Sequence, residues 1–186
     1  MRVLFGCVLV ALLAGSLEQV LDAGGQPPRI AIRLGSVGPL SIGQDLESLN
    51  RTFPPDRRRA IDLKLEGDAV PALELTLAGS NVRGGLVAEL RRQNGRDVVS
   101  RIRITDPMAR TDKGIGVGST VAELRAAYRI DWVSQAEGCR CLRVEELGAT
   151  FELDRSDPAA ELEARMTPDA VPGRLRIVGV MLTKAG

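Results

Sequence analysis

Residues 111–120 read TDKGIGVGST, with Gly114, Gly116 and Gly118 at alternate positions between a strand-like run and a helix-like run. A glycine-rich turn that opens a helix can wrap backbone amides around a phosphate, so this is the first place to look for chemistry. The spacing argues against that use. A Walker-type loop needs Gly-Lys-Ser/Thr at the helix start so that lysine reaches the outer phosphates, whereas here Ser119 follows Gly118 directly and Lys113 lies on the far side of the glycines. A dinucleotide fingerprint needs G-x-G-x-x-G inside a parallel strand–helix–strand unit, and the spacing here is G-x-G-x-G. A structural reading accounts for more residues: Thr120 and Glu123 make a Thr-x-x-Glu capping box, and Ile115 and Val117 turn apolar side chains inward between the glycines. Gly114, Gly116, Gly118, Thr120 and Glu123 are therefore expected to form a helix-leading loop, with anion binding as its minor alternative.

Other residue types offer little for catalysis. The chain has no histidine, which removes the usual general base, the usual triads and the commonest metal ligand. Asp106, Asp112, Asp131, Glu145 and Glu146 could converge as a carboxylate site, but nearby arginines at strand-alternating positions favour a salt-bridged, solvated face. Cys139 and Cys141, in EGCRCLRV, read as two thiols or a local disulfide at a strand entrance, with a bond to another chain equally open. A redox role is weaker, since C-x-x-C is missing. Arg57, Arg58 and Arg59 form the densest basic cluster and read as a surface turn. Trp132, in the loop RIDWVSQ, is the residue expected to anchor a partner, with a core plug under the second helix as the alternative. No catalytic, cofactor-binding or metal-ligating set emerges, and no cofactor is expected.

The elements that must position these residues follow from periodicity. Ile30, Ile32 and Leu34 alternate with Ala31 and Arg33, predicting a strand after Pro27-Pro28. Leu46, Leu49 and Phe53 predict a helix capped by Asp45 and closed by Pro54-Pro55. AIDLKLEG and ALELTLAG predict two strands joined at Gly67 to Pro71, and Asn94-Gly95 predicts a hairpin between GLVAELRRQ and DVVSRIRIT. Val121, Leu124 and Tyr128 predict a second helix, CLRVEEL and ATFELD another strand pair, and SDPAAELEARM a helix begun at Asp157. The closing RLRIVGVMLT is apolar on both faces, as a central strand is. An offset of 75 residues lays Gly43 on Gly118, Asp45 on Thr120, Leu49 on Leu124 and Phe53 on Tyr128. The expected fold class is thus α+β: one domain over 29–186, built of two tandem helix-plus-antiparallel-sheet repeats at about 34–105 and 111–184.

The first 16 residues, with Arg2, an apolar run from Val3 to Ala14 and small residues at the end, form a secretory signal pattern with cleavage before Leu17 or as late as Ala23, followed by a linker over 17–28. The run is short for a membrane span, so anchorage through residues 3–14 is the alternative to a free periplasmic chain, and membrane contact is expected only if the signal stays attached. Its removal takes away Arg2 and no acid, leaving 24 side chains of each sign. With that balance, and only Phe53, Tyr128, Trp132 and Phe151 as aromatics beyond the signal, nucleic acid is not an expected partner.

The run VGPLSIGQDLESLNRTFP, a strand meander ending IRITDP, then TDKGIGVGSTVAELRAAY and cysteine-bearing strands resemble a family of Gram-negative envelope proteins of unknown function. That family includes lipoproteins regulated by the envelope-stress sigma factor. Here Ser16 stands where a lipid-bearing cysteine would be. The layout is also similar, more loosely, to β-lactamase inhibitor protein and small outer-membrane-assembly lipoproteins. The resemblance implies export and a fold more than an activity. The function expected is that of a non-catalytic binding module for another envelope protein or a cell-wall component, acting through a sheet face or the glycine loops. The alternative is a small carboxylate hydrolase or a thiol-redox protein using Cys139 and Cys141.

Overall fold

A computed structural model describes residues 30–65, 68–134, 139–157 and 166–184. The signal pattern, the 17–28 linker and most of the helix expected after Asp157 lie outside the described residues. Eight strands make one antiparallel sheet: β4 (Arg58–Leu65), β5 (Asp68–Leu75), β6 (Leu86–Gln93), β7 (Arg96–Ile104), β9 (Trp132–Ser134), β10 (Cys141–Val144), β11 (Ala149–Leu153) and β12 (Ile177–Thr183). Their order is β4-β5-β6-β7-β12-β11-β10-β9, so the doubly apolar last strand is central, as its composition requires. A second, four-stranded sheet has the order β3-β2-β1-β8, from β1 (Ile30–Arg33), β2 (Ser36–Val37), β3 (Leu40–Ser41) and β8 (Ala109–Thr111).

Alternation along the strands sorts the large sheet into two faces. On the inner face, Leu142, Phe151, Val180, Ile104, Leu86 and Leu75 stand opposite one another in a row across six strands, and all are buried. A parallel row runs Val144, Ala149, Leu182, Ile102, Ala88 and Leu73. Ile32, Val37 and Leu40 of the small sheet join the same core, as do Leu49 and Leu124 of the helices α1 (Leu46–Thr52) and α2 (Val121–Ala127). Asp45 caps α1 by accepting from Ser48 N at 2.7 Å, and the Thr120–Glu123 box caps α2.

The expectation of two tandem helix-plus-sheet repeats does not hold. Each helix has only seven residues, about two turns, too short to form a layer of its own, and the protein is mostly β. The reading gave the helical spacing too much weight and missed the four-stranded sheet. There, β8 pairs in parallel with β1 across the proposed repeat boundary, Ile30 opposite Ala109 and Ile32 opposite Thr111. The 75-residue correspondence holds through the helix-leading segments and the two short helices: Gly43 N donates to Val99 O and Gly118 N to Ile177 O, both at 2.7 Å, Leu49 and Leu124 are buried, and Phe53 and Tyr128 cap the helix ends. Leu34, read as strand, lies in the turn after β1 and is exposed.

The strands on the β4 side divide into two ribbons. Pairing of β5 with β6 stops at Ala72, beside Pro71, which has no N–H for a ladder. Past it, among the described residues, β4 and β5 pair only with each other, down to Leu65 opposite Asp68. β6 shifts register between Glu89 and Leu90, and β7 there turns to the α1-leading segment, with Val99 N donating to Gln44 O at 2.9 Å.

Continuity of the inner rows across β7 and β12 predicts one cooperative unit. Ile104→Ala should cost about 2–5 kcal/mol and lower a single thermal transition monitored by circular dichroism. Two transitions moving separately would show that the strand groups fold independently.

Candidate functional site

Gly116 shows what the glycine loop is for. A Cβ there would stand 2.3 Å from the carbonyl oxygen of Ala109 in β8, so the loop lies against that strand where no side chain fits. Gly114 N donates to Thr111 O at 2.9 Å, and Gly118 has φ +90°, a left-handed value. Buried Ser119 accepts from Gly116 N at 3.3 Å and from Arg110 Nη1 at 3.1 Å. The amides that could meet an anion are engaged: Glu123 accepts from Thr120 N at 2.6 Å and Thr120 Oγ1 accepts from Glu123 N at 3.2 Å. The loop's hydrogen bonds run to β8, to the start of α2 and to the β12 side, with Gly118 N donating to Ile177 O and Val121 N to Leu175 O.

The five acids read from the sequence do not make an acid pair. Asp106 is fully buried at the end of β7, where Oδ1 accepts from Met108 N at 2.9 Å. Tyr128 OH donates to Asp112 Oδ1 at 2.6 Å, while Lys113 sits over the Tyr128 ring, 4.1 Å from its centroid, and 3.6 Å from Glu146. Asp131 Oδ2 accepts from Glu145 N at 2.8 Å, and Glu145 in turn accepts from Arg143 Nη2 at 3.0 Å and from the Trp132 indole at 3.3 Å. Four of these acids thus gather along the β10 end of the molecule, each held by a cation, a phenol or a backbone amide.

The sheet's outer face carries the more extensive arrangement. Registered partners form a row across all eight strands: Trp132, Arg143, Thr150, Met181, Arg103, Val87, Glu74 and Arg59. Trp132, expected in a loop, belongs to the edge strand β9 and is 44% exposed, whereas Arg143 and Thr150 beside it are buried. The middle of the face is recessed because the sheet curls. Leu63 and Lys64 of β4 and the Cys139–Cys141 segment at the start of β10, near opposite ends of the strand order, line one concavity of about 530 Å³.

Two ion pairs floor the recess: Arg101 with Glu89 at 3.4 Å and Arg103 with Glu152 at 3.4 Å. Glu89 comes from β6 and Glu152 from β11, and each is held by an arginine of β7, so both carboxylates of the recess are paired with a guanidinium. Cys139 and Cys141 form a disulfide, with Cα atoms 5.6 Å apart, on the rim. Among the described residues no group of three or more metal-ligating side chains converges. Sequence reading missed Glu89, Glu152 and Arg143, although the alternation that put Arg101 and Arg103 on one face was their only visible sign.

In fold, the chain is similar to the crystal structure of the uncharacterized protein YfeY from Escherichia coli. The TM-score is 0.53 and the identity 17%, over 84% of this chain and 99% of that one. At that identity the likeness shows the fold alone. It agrees with the resemblance to Gram-negative proteins of unknown function. No protein-family model and no curated protein sequence matches the chain.

Gly116→Ala should cost about 3 kcal/mol and Gly118→Ala, open around its Cβ but at positive φ, about 1 kcal/mol, both read by denaturant melts. Equal costs would show that backbone conformation, not close approach, sets the loop. The hydrogen bond from Tyr128 holds the Asp112 carboxyl below its ordinary value, and the bond from the Thr120 amide does the same for Glu123. A depressed carboxyl stabilises the fold above its unfolded value and loses that contribution as pH falls through the folded one, in the window below about pH 4. Tyr128 is raised, first by burial and then by Asp112, so its contribution is lost only above about pH 10. Asp112→Asn should flatten the acid limb of a plot of Tm against pH; an unchanged limb would remove Asp112 from it.

Proposed function

We propose that the chain is an exported envelope protein that works as a non-catalytic binding module, gripping another envelope protein or a cell-wall component in the concave outer face of its large sheet. The carrying observation is the row from Arg59 to Trp132: a recessed middle floored by arginine–glutamate pairs, with a half-exposed indole at one end. Tryptophan and arginine beside a concave floor are the residue types that dominate binding energy at interfaces. The glycine loops spend their amides on the sheet instead, Gly43 N on Val99 O and Gly118 N on Ile177 O. Export rests on the signal pattern of residues 1–16 and on the envelope resemblance, and no helix among the described residues is long and apolar enough to cross a membrane.

A photoreactive residue at position 181 should capture a partner in living cells, and one at position 94, on the hairpin turn away from the recess, should not. With the captured partner purified, Trp132→Ala should weaken its binding about thirtyfold, about 2 kcal/mol. Equal capture from both positions, or binding indifferent to Trp132→Ala, would count against the recess. Osmotic shock of the same cells should release the chain with the periplasmic proteins; retention in the cytoplasm would overturn the export reading.

A further inference from the structure

The Arg57–Arg59 cluster does more than mark a turn. Arg58 is committed: its Nη1 donates to the carbonyls of Asn50, at 2.9 Å, and Phe53, tying α1 to β4. Arg59 is committed too, with Nε and Nη2 donating to Glu74 Oε2 at 2.9 and 2.6 Å. Arg57 and Arg83 make no ion pair among the described residues. They line one pocket of about 390 Å³ between the Pro55–Arg57 turn and the 80–84 loop.

The pocket's hydroxyls are polarised in one direction. Ser80 Oγ accepts from Val82 N at 2.9 Å and Thr76 Oγ1 accepts from Gly84 N at 3.2 Å. With lone pairs already engaged by loop amides, both hydroxyls are left with a proton to give. Asn81 adds a side-chain amide to the lining. Of the two carboxylates there, Glu74 is taken by Arg59, and Asp56 sits exposed on the turn, so four arginines face two acids. A concave site with guanidinium forks, two donating hydroxyls and a surplus of positive charge is chemically suited to an oxyanion.

We propose that this pocket binds a phosphate group, Arg57 and Arg83 supplying the charge-assisted hydrogen bonds and Ser80, Thr76 and Asn81 completing the donor set. It is separate from the recess, with which it shares no lining residue, although Glu74 and Arg59 stand at the far end of the outer row. The same chemistry fits a soluble phosphomonoester and a phospholipid headgroup.

Titration of the mature chain with inorganic phosphate, followed by backbone amide NMR, should shift resonances of residues 80–84 and of Arg57 with saturation. The R57Q/R83Q variant should bind at least tenfold more weakly, whereas R91Q/R96Q, which removes equal charge from the exposed β6–β7 hairpin, should bind like the parent. R83Q alone, at an exposed position, should still weaken binding if the double variant folds poorly. Two further arms assign the source: co-sedimentation with phosphatidylglycerol vesicles abolished by R57Q/R83Q supports a headgroup, and saturation by glycerol 3-phosphate without vesicle binding supports a soluble ester. Shifts scattered over all arginines, no saturation, or equal weakening by R91Q/R96Q would overturn the site.

Discussion

The pairing of β7 with β12 is the constraint on which the rest depends. Val180 to Thr183 register against Ile104 to Arg101, joining residues 76 to 82 positions apart, whereas most other pairings in the large sheet link near neighbours in the chain. Such a contact must overcome loop-closure entropy before it contributes anything. What offsets that cost is apolar burial, at about 1.5–3 kcal/mol for each fully buried large side chain. Ile104 and Ile102 face Val180 and Leu182, and through them the inner rows run unbroken from Leu75 to Leu142 and from Leu73 to Val144. The same junction sets Arg103 beside Met181 on the other face, so the recess floor exists only because the core seam holds.

Local order was legible where a short-range rule governs it. Asn94-Gly95 marks the β6–β7 hairpin, with Asn94 at φ 50° and Gly95 at φ 79°, because a tight two-residue turn demands left-handed backbone. The caps at Asp45 and Thr120 were readable because each side chain accepts from the backbone amide three residues on, and at Thr120 the Glu123 side chain closes the box. The architecture was not readable, since nothing within a few residues of Ile30 says that it lies beside Ala109. Two amphipathic helical stretches of similar spacing then looked like the centres of two units, when each proves to be a short plug against a continuous sheet. Proline disfavours strands, so Pro71 points to a turn in the sequence, yet β5 tolerates it where β6 is no longer alongside.

Charge placement follows the same division. The outer face could not be apolar without exposing a large hydrophobic patch, and the inner face could not accept ions without burying them. Arginine meets both demands at the recess, its stem covering the sheet while its head pairs across strands, as Arg101 does with Glu89 and Arg103 with Glu152. Candidate sites in the sequence were judged by residue type, but their meaning came from neighbours on other strands. Glu145 looked like a possible acid, and it is the acceptor that joins Trp132 to Arg143.

The divided ribbons give the recess two unlike walls. On the β10 side the wall is tethered between two strands and carries a disulfide. On the other side, beyond Pro71, β4 and β5 pair only with each other among the described residues, and a two-stranded ribbon is the least rigid form a sheet takes. The concavity therefore has one wall backed by neighbouring strands and one wall formed by a two-stranded ribbon, and a twist of that ribbon changes its width without touching the floor or the core seam beneath it.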